Sequence, residues 1–380
     1  IVAHAAALDG VITHVAREYC DNPGINPGDM FLTNNPYLGV THQNDVELIC
    51  PIFHEEKLIA WCGSIAHQVD VGGPTLGMNV KADSIYAEAL PIEPVKIVEG
   101  GRIRRDLERE YLIRSRLPFL NALDLRGQVA ANNVAAAKLL AVVQEYGCDV
   151  VLNALDDLVD QAALQFGARL RELADGVRES ITYIEGDGTT DCVYGVHLKL
   201  TKHADRLTLD FSESSPQAPA VINITAGTLR AYVMATLMAM LCWDIPWTPV
   251  AVWRSVEIRS RKGTVTDANW PAGVATGNMA AGAAVRSLVS VLVSRLLAGH
   301  PEHGWRARAS CMSCYGGTTL SGLNERGERF ATMLLDSVAG GAGALQGSDG
   351  IGTCGMINAP GARIPNVETN ELLYPMLYLY

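Results

Sequence analysis

A basic surface able to hold a phosphate backbone is missing from this 380-residue chain, which carries 30 Lys and Arg against 41 Asp and Glu for a formal charge of −11. The largest basic cluster is the short "RSRK" of residues 259 to 262, so nucleic acid is not an expected partner. Long hydrophobic runs are missing too. The most apolar stretch, "LRAYVMATLMAMLCW" (229 to 243), includes an Arg and falls short of the ~18 residues that a membrane-spanning helix needs. It reads as a buried helix, and no membrane is expected. Nine cysteines, odd in number and scattered from Cys20 to Cys354, build no disulfide framework. With no secretory signal ahead of them, the expected location is cytoplasmic. The chain opens at "IVAHAAALDG" without an initiator Met, which reads as a piece of a longer polypeptide.

Several catalytic signatures are absent as well. No G-x-S-x-G occurs, so no Ser or Cys nucleophile sits in an elbow. Neither a G-x-x-x-x-G-K-[ST] loop nor a G-x-G-x-x-G that follows a strand and opens a helix is present. Any nucleotide used in the reaction is therefore expected on another chain. The lone CxxC of Cys311 and Cys314 lacks a second pair or nearby His; two small core residues and a zinc or redox site both remain open.

With 48% hydrophobic and 19% charged residues, the chain is a globular one of more than one domain. Its fold class is read as α+β. Residues 1–125, with turn chemistry in "NPGINPGD" and apolar runs in "MFLTNN", "VELICPIF" and "KLIAWCGSIA", predict a β-rich domain bearing a metal-site hairpin. Residues 126–180 are Ala/Leu-rich at helical spacing, which predicts a helical hairpin. Residues 181–380 read as a mixed α/β domain: a hairpin over 192–214 turning near "HADR", the buried helix, strand character at "RSVEIRSRKGTVTD", and Gly/Ala-dense runs. Such runs suit an active-site wall, a subunit interface or a surface loop.

The chemistry gathers at the open end of the first hairpin. "VELICPIF" and "KLIAWCGSIA" are joined by "HEEK", a polar tip centred between Glu55 and Glu56. Pairing outward from that centre brings Asp45 and His42 close to His67. Two imidazoles and a carboxylate on rigid strands form a three-ligand site for one divalent metal, with Mn²⁺, Zn²⁺ and Fe²⁺ all compatible with the mixed N/O set. The alternative is a hydrogen-bonded loop beside a strand-end histidine. Asp70, in "HQVDVGGPTLGMN", reads as a group that orients an imidazole, as a general base, or as an Asx-turn. Glu88, in "IYAEALP", is a further candidate for the same cleft, although nothing in its own spacing demands it. His54, His197 and His203 lack partners at useful spacing.

The stretch "GDMFLTNNPYLGVTHQNDVELICPIFHEEKLIAWCGSIAHQVDVGG" resembles the hydantoinase B family, which includes the C-terminal half of 5-oxoprolinase and the large subunits of acetone and acetophenone carboxylases. The resemblance continues in order through "IYAEALPIEPVKIVEGG", "DLRGQVAANN", "LTLDFSESSPQ", "SVAGGAGA" and "NELLYP". It implies an actin-like ATPase partner of the hydantoinase A type that binds ATP and phosphorylates a small-molecule substrate. The subunit resembling this chain then completes the reaction at a metal held by His42, Asp45 and His67, in a hetero-oligomer. Members of the family run longer at both ends, which supports reading this chain as a piece of a larger subunit. Two departures bear on the reaction. Cyclic-amide hydrolases of the family carry a second His where this chain has Gln68, and many members have Asp where it has Asn35. Both favour ketone carboxylation with bicarbonate over hydrolysis of a hydantoin, 5-oxoproline or lactam, with a non-catalytic scaffold as the third reading. Catalytic roles fall to Asp70, Gln68 and Glu88.

Overall fold

The computed structural model describes residues 4, 6–309, 318–334, 343–350, 367–373 and 377. Strands β1 (Met30–Thr33), β2 (Asp45–His54) and β3 (Lys57–His67) form an antiparallel unit. β4 (Val95–Glu99) and β5 (Arg102–Ile103) extend it into a five-stranded sheet of order β3-β2-β1-β4-β5. The expected hairpin is present. Glu55 and Glu56 at its tip both have positive φ, 49° and 64°, the two-residue turn geometry that matches strand twist. Continued regularly, that turn would set Asp45 opposite Ala66. A bulge next to the Ile52 and Phe53 pairs leaves Ile59 unpaired, shifts the remaining ladder by one residue, and brings Asp45 opposite His67.

Strand alternation divides the two faces. Val46, Leu48 and Cys50 join Met30, Leu32, Ile97 and Leu125 in one apolar core. Asp45, Glu47 and Ile49 turn the other way, toward a helix at Leu8–Glu18 whose Val11 and Val15 pack on Phe31 and Ile49. This helix and another at Arg105–Ile113 join the strands and turns expected of the β-rich residues 1–125. Leu8, Val11, Ile12 and Val15 recur at helical spacing, a signal that was available in the sequence. Gly10 weakens it, but only glycine fits there: a Cβ would lie 2.4 Å from the Leu38 carbonyl oxygen. The helix is thereby pressed backbone to backbone onto the loop that leads to His42.

The helical hairpin consists of Pro118–Tyr146 and Cys148–Glu172, joined at Gly147. It starts at Pro118 rather than at residue 126, because proline is well accommodated in the first turn, and β6 (Gly176–Ile184) takes the end of the span assigned to it. Asn121, Leu125, Gln128 and Asn132 lie buried on one face of the first helix. Their amides bond the backbone of the β2–β3 hairpin and its continuation. Gln128 Nε2 donates to the Val46 and Ser64 carbonyls at 2.9 and 3.1 Å, Asn132 Nδ2 to Leu48 at 2.8 Å, and Asn121 Nδ2 to Asp70 at 3.1 Å. A polar stripe inside the protein is tolerated because its amide N–H groups find partners, although Gln128 Oε1 has none, and here it pins the hairpin from behind.

The second sheet has the order β6-β7-β8-β9, with β7 at Tyr194–His203, β8 at Arg206–Asp210 and β9 at Val256–Arg259. The expected 192–214 hairpin turns at Ala204, and β8 and β9 run parallel. Helices Ala226–Leu241 and Ala281–Leu297 share the larger core with this sheet. Among the described residues no helix is long and apolar enough to cross a membrane. The Gly/Ala run over 271–287 is close packing, not a loose loop. A Cβ on Gly277 would lie 1.8 Å from the Asn223 oxygen, and one on Gly282 would lie 2.3 Å from the Tyr232 ring. β10 (Thr318–Leu323) and β11 (Arg329–Leu334) form a separate hairpin. The Cys311–Cys314 pair and most of the "SVAGGAGALQGSDGIGTCGMINAPG" run lie outside the described residues.

Candidate metal centre

The turn before β2 and the end of β3 bring His42, Asp45 and His67 together, with one ligand atom from each lying within 4.8 Å of the others. The two imidazole rings are 5.0 Å apart between centroids and tilted by 48°. His42 and Asp45 are buried and His67 is exposed, so the group opens on one side. The turn is itself fixed at both ends. Asp45 N donates to the His42 carbonyl at 3.0 Å, Asn34 Nδ2 to the Gln43 carbonyl at 2.8 Å, and Asn44 Nδ2 to the Gln68 carbonyl at 2.8 Å.

The electrostatics match a ligand set. Burial lowers the His42 pKa to about 4, with Asp45 opposing only in part, so the imidazole keeps a lone pair at neutral pH. Its Nδ1 is buried with no hydrogen-bond partner. Burial pushes the Asp45 carboxyl upward, but His4, His42 and His67 outweigh it and hold the group far below the ordinary carboxylate range. Asp45 Oδ2 receives Thr41 Oγ1, with His4 Nε2 at 2.9 Å and His42 Nε2 at 3.3 Å. A neutral imidazole beside an ionised carboxylate is what a borderline divalent cation binds.

The other expected site residues are placed as follows. Gln68 is 1% exposed and its Nε2 has no partner. Asp70 is fully buried, and its carboxylate takes the Arg116 guanidinium, the Arg116 N–H at 2.6 Å and, more distantly, Ser115 Oγ and the Gly72 N–H at 3.4 Å. Its oxygens are occupied by Ser115 and Arg116 and by the Gly72 N–H. Glu88 accepts the Val274 and Ala275 N–H groups at 2.6 and 2.8 Å on Oε1, and Gln43 Nε2 on Oε2. It thus connects the turn carrying His42 to the Gly/Ala run. Asn35 is held in a turn, donating to Glu93 at 2.7 Å and accepting the Tyr37 N–H at 3.0 Å; a carboxylate there would face that of Glu93.

Burial raises Glu88 to about 7, against the hydrogen bonds from Ala275, Gln43 and Val274. A carboxyl that protonates more readily in the folded state adds stability below its unfolded pKa of ~4.5 and loses it as pH rises through about 7. The Glu88→Gln variant should abolish that slope. Its amide can donate to Gln43 Oε1, which has no partner, once the Gln43 amide flips. Thermal melts at pH 5 and pH 8 are expected to differ less in the variant than in the parent, by on the order of 3 kcal/mol. An unchanged slope would mean that Glu88 does not titrate in this range.

Two residues at the centre escaped the sequence reading. One is His4, whose contact crosses from outside the sheet. The other is Glu47, which is 1% exposed with neither carboxylate oxygen partnered; burial, then Asp45, raises its pKa well above the ordinary value. An acid alternating with Asp45 in the apolar run "DVELICPIF" was the available signal. A second cluster, Glu172, His300 and His303, has similarly close ligand atoms. The Glu302 and His303 N–H groups, at 3.2 and 3.1 Å, both donate to His300 Nδ1. That places the ring proton on Nε2, so neither nitrogen offers a free lone pair, and the cluster is a hydrogen-bonded surface stack.

A family model described as Hydantoinase B/oxoprolinase matches residues 1–379. The chain is 28% identical to the caprolactamase subunit beta of Pseudomonas jessenii over 99% of its own length and 64% of that protein. It is 24% identical to the acetophenone carboxylase delta subunit of Aromatoleum aromaticum over 98% of itself and 54% of that protein. A nucleotide-free structure of acetone carboxylase superposes with a TM-score of 0.90 at 21% identity, covering 100% of this chain and 51% of that one. The chain thus spans between half and two thirds of the length of these relatives.

Proposed function

Because the chain belongs to the hydantoinase B/oxoprolinase family, we propose that it forms the metal-bearing part of an ATP-dependent enzyme whose substrate is phosphorylated by a partner subunit. The observation that carries this reading is the buried pair His42 and Asp45 meeting the exposed His67 across a pinned hairpin. These three would hold one divalent ion, which when bound supplies a Lewis acid to a substrate oxygen gaining negative charge. The exposed edge at His67 is the side from which substrate approaches. Gln68, next in the chain and buried with an unpartnered amide donor, is suited to orient a substrate oxygen. Glu88, poised near neutral pH and bonded to Gln43, is suited to hold or release a proton. Asp70 is assigned to holding its loop.

Within this class the first reading is ketone carboxylation with bicarbonate, favoured by Gln68 at the position where hydrolases carry a second histidine. The second is ATP-dependent opening of a cyclic amide, favoured by the likeness to the caprolactamase subunit beta and by Glu88 as an available acid. Asn35 bears little on the choice, since its side chain is committed to a turn. The chain, purified with an actin-like ATPase partner, is tested by ATP turnover with bicarbonate plus ketones and with a panel of cyclic amides. Bicarbonate-dependent loss of ketone is expected. Ring opening that needs no bicarbonate overturns the first reading in favour of the second, and no ATP-coupled reaction with either panel overturns both.

A further inference from the structure

We infer that His4 positions Asp45 for metal binding, which makes the segment entering the Leu8–Glu18 helix a working part of the centre. This rests on the reading of His42, Asp45 and His67 as ligands. His4 Nε2 lies 2.9 Å from Asp45 Oδ2, closer than His42 Nε2 at 3.3 Å. The same oxygen takes Thr41 Oγ1. Thr41, His4 and His42 thus crowd Oδ2, and the other oxygen takes none of these contacts. A carboxylate gripped through one oxygen is held in a single rotamer with its second oxygen available to an ion, which is how groups behind a ligand tune affinity.

His4 stands outside the ligand group itself, whose mutually close members among the described residues are His42, Asp45 and His67. Its part is therefore to position a ligand. Among the described residues, the groups that face Asp45 from the surrounding elements include His42, Thr41, His67 and Glu47, and of those touching it His4 is the one that arrives from outside the sheet and its loops.

The entering segment is seated tightly enough for this. The Ala7 N–H donates to the His4 carbonyl at 3.0 Å, and a Cβ on Gly39 would lie 2.7 Å from the Ala7 oxygen. With Gly10 against Leu38 on the same loop, the helix and the turn holding Thr41 and His42 form one unit. Any shift of the helix start along the sheet moves His4 away from Asp45.

The test measures affinity for Mn²⁺ and Zn²⁺ by competition with a chromophoric chelator, using the chain with its ATPase partner. His4→Ala is expected to weaken binding about 10- to 100-fold while the metal-free protein melts as the parent does. His4→Gln, whose amide N–H can also donate to Asp45, should recover most of that loss. Equal affinity in His4→Ala and the parent would overturn the inference. So would an equal loss in both variants with lowered metal-free stability, which would mark His4 as seating the helix only. A parent that binds no metal overturns the ligand reading itself, and is distinguished from failure of the His4 role because the variants are then not needed to see it.

Discussion

The His67→Ala variant, purified with the proposed ATPase partner, is expected to lose stoichiometric metal and at least roughly 100-fold in turnover while unfolding at the temperature of the metal-free parent. The magnitude follows from what weaker perturbations do: removing a group behind a ligand already lowers affinity or activity by about 10- to 100-fold, and His67 is proposed as a ligand. The choice of His67 among the three is deliberate. His42 and Asp45 are each 1% exposed, so replacing either opens a hole or strands a buried partner and confuses binding with folding. His67 is exposed at the end of β3, and alanine there keeps the backbone ladder to Asp45 intact. Elemental analysis alongside a melt decides the matter. Full metal content and full activity in the variant would remove the centre, and with it both enzymatic readings.

Arg116→Ala should destabilise the protein by about 3–5 kcal/mol, the effect of removing one partner from a buried ion pair. Asp70 is the group left behind: its side chain is fully buried, and its carboxylate depends on Arg116 for a guanidinium and on the neighbouring backbone for further donors. The arginine also binds the Gly72 and Gly73 carbonyls at 3.2 Å and the Thr75 carbonyl at 2.6 Å, so its loss frees the loop beyond β3. The Arg116 side chain is 30% exposed, which places the expectation at the lower end of the range. Denaturant titration of Arg116→Ala and Asp70→Asn should show both destabilised. An Asp70→Asn variant with parental stability and abolished turnover would instead make Asp70 the general base.

The hairpin and its three polar residues were legible in the sequence because both signals are local. A polar four-residue tip between two apolar runs sets a turn, and strand pairing then fixes which distant residues meet. The single bulged residue was not legible, since Ile59 looks like any other apolar strand position. The helix at Leu8–Glu18 was masked by Gly10 and by the β-branched run of Val11, Ile12 and Thr13, whose poor helix propensity is overridden by packing against the 38–39 loop. Glu88 was legible as a candidate but not as what it is bonded to, because Val274 and Ala275 lie far along the chain. The Asn121, Gln128 and Asn132 stripe had the spacing of a buried helix face with the polarity of an exposed one. Only the carbonyls it meets resolve that conflict.

The unpaired Ile59 gives the hairpin a spare residue. Because the ladder on either side of it is continuous, a chain shortened by Ile59 alone would close into a regular hairpin with Asp45 still across from the same histidine. Removing a residue nearer the open end keeps His67 across from Asp45 only if Ile59 moves into the ladder, and that turns the side chains between the two points to the opposite face. Tolerance to deletion along β3 is therefore expected to be greatest at a point roughly 25 Å from the candidate cation site, at about 3.4 Å per strand residue.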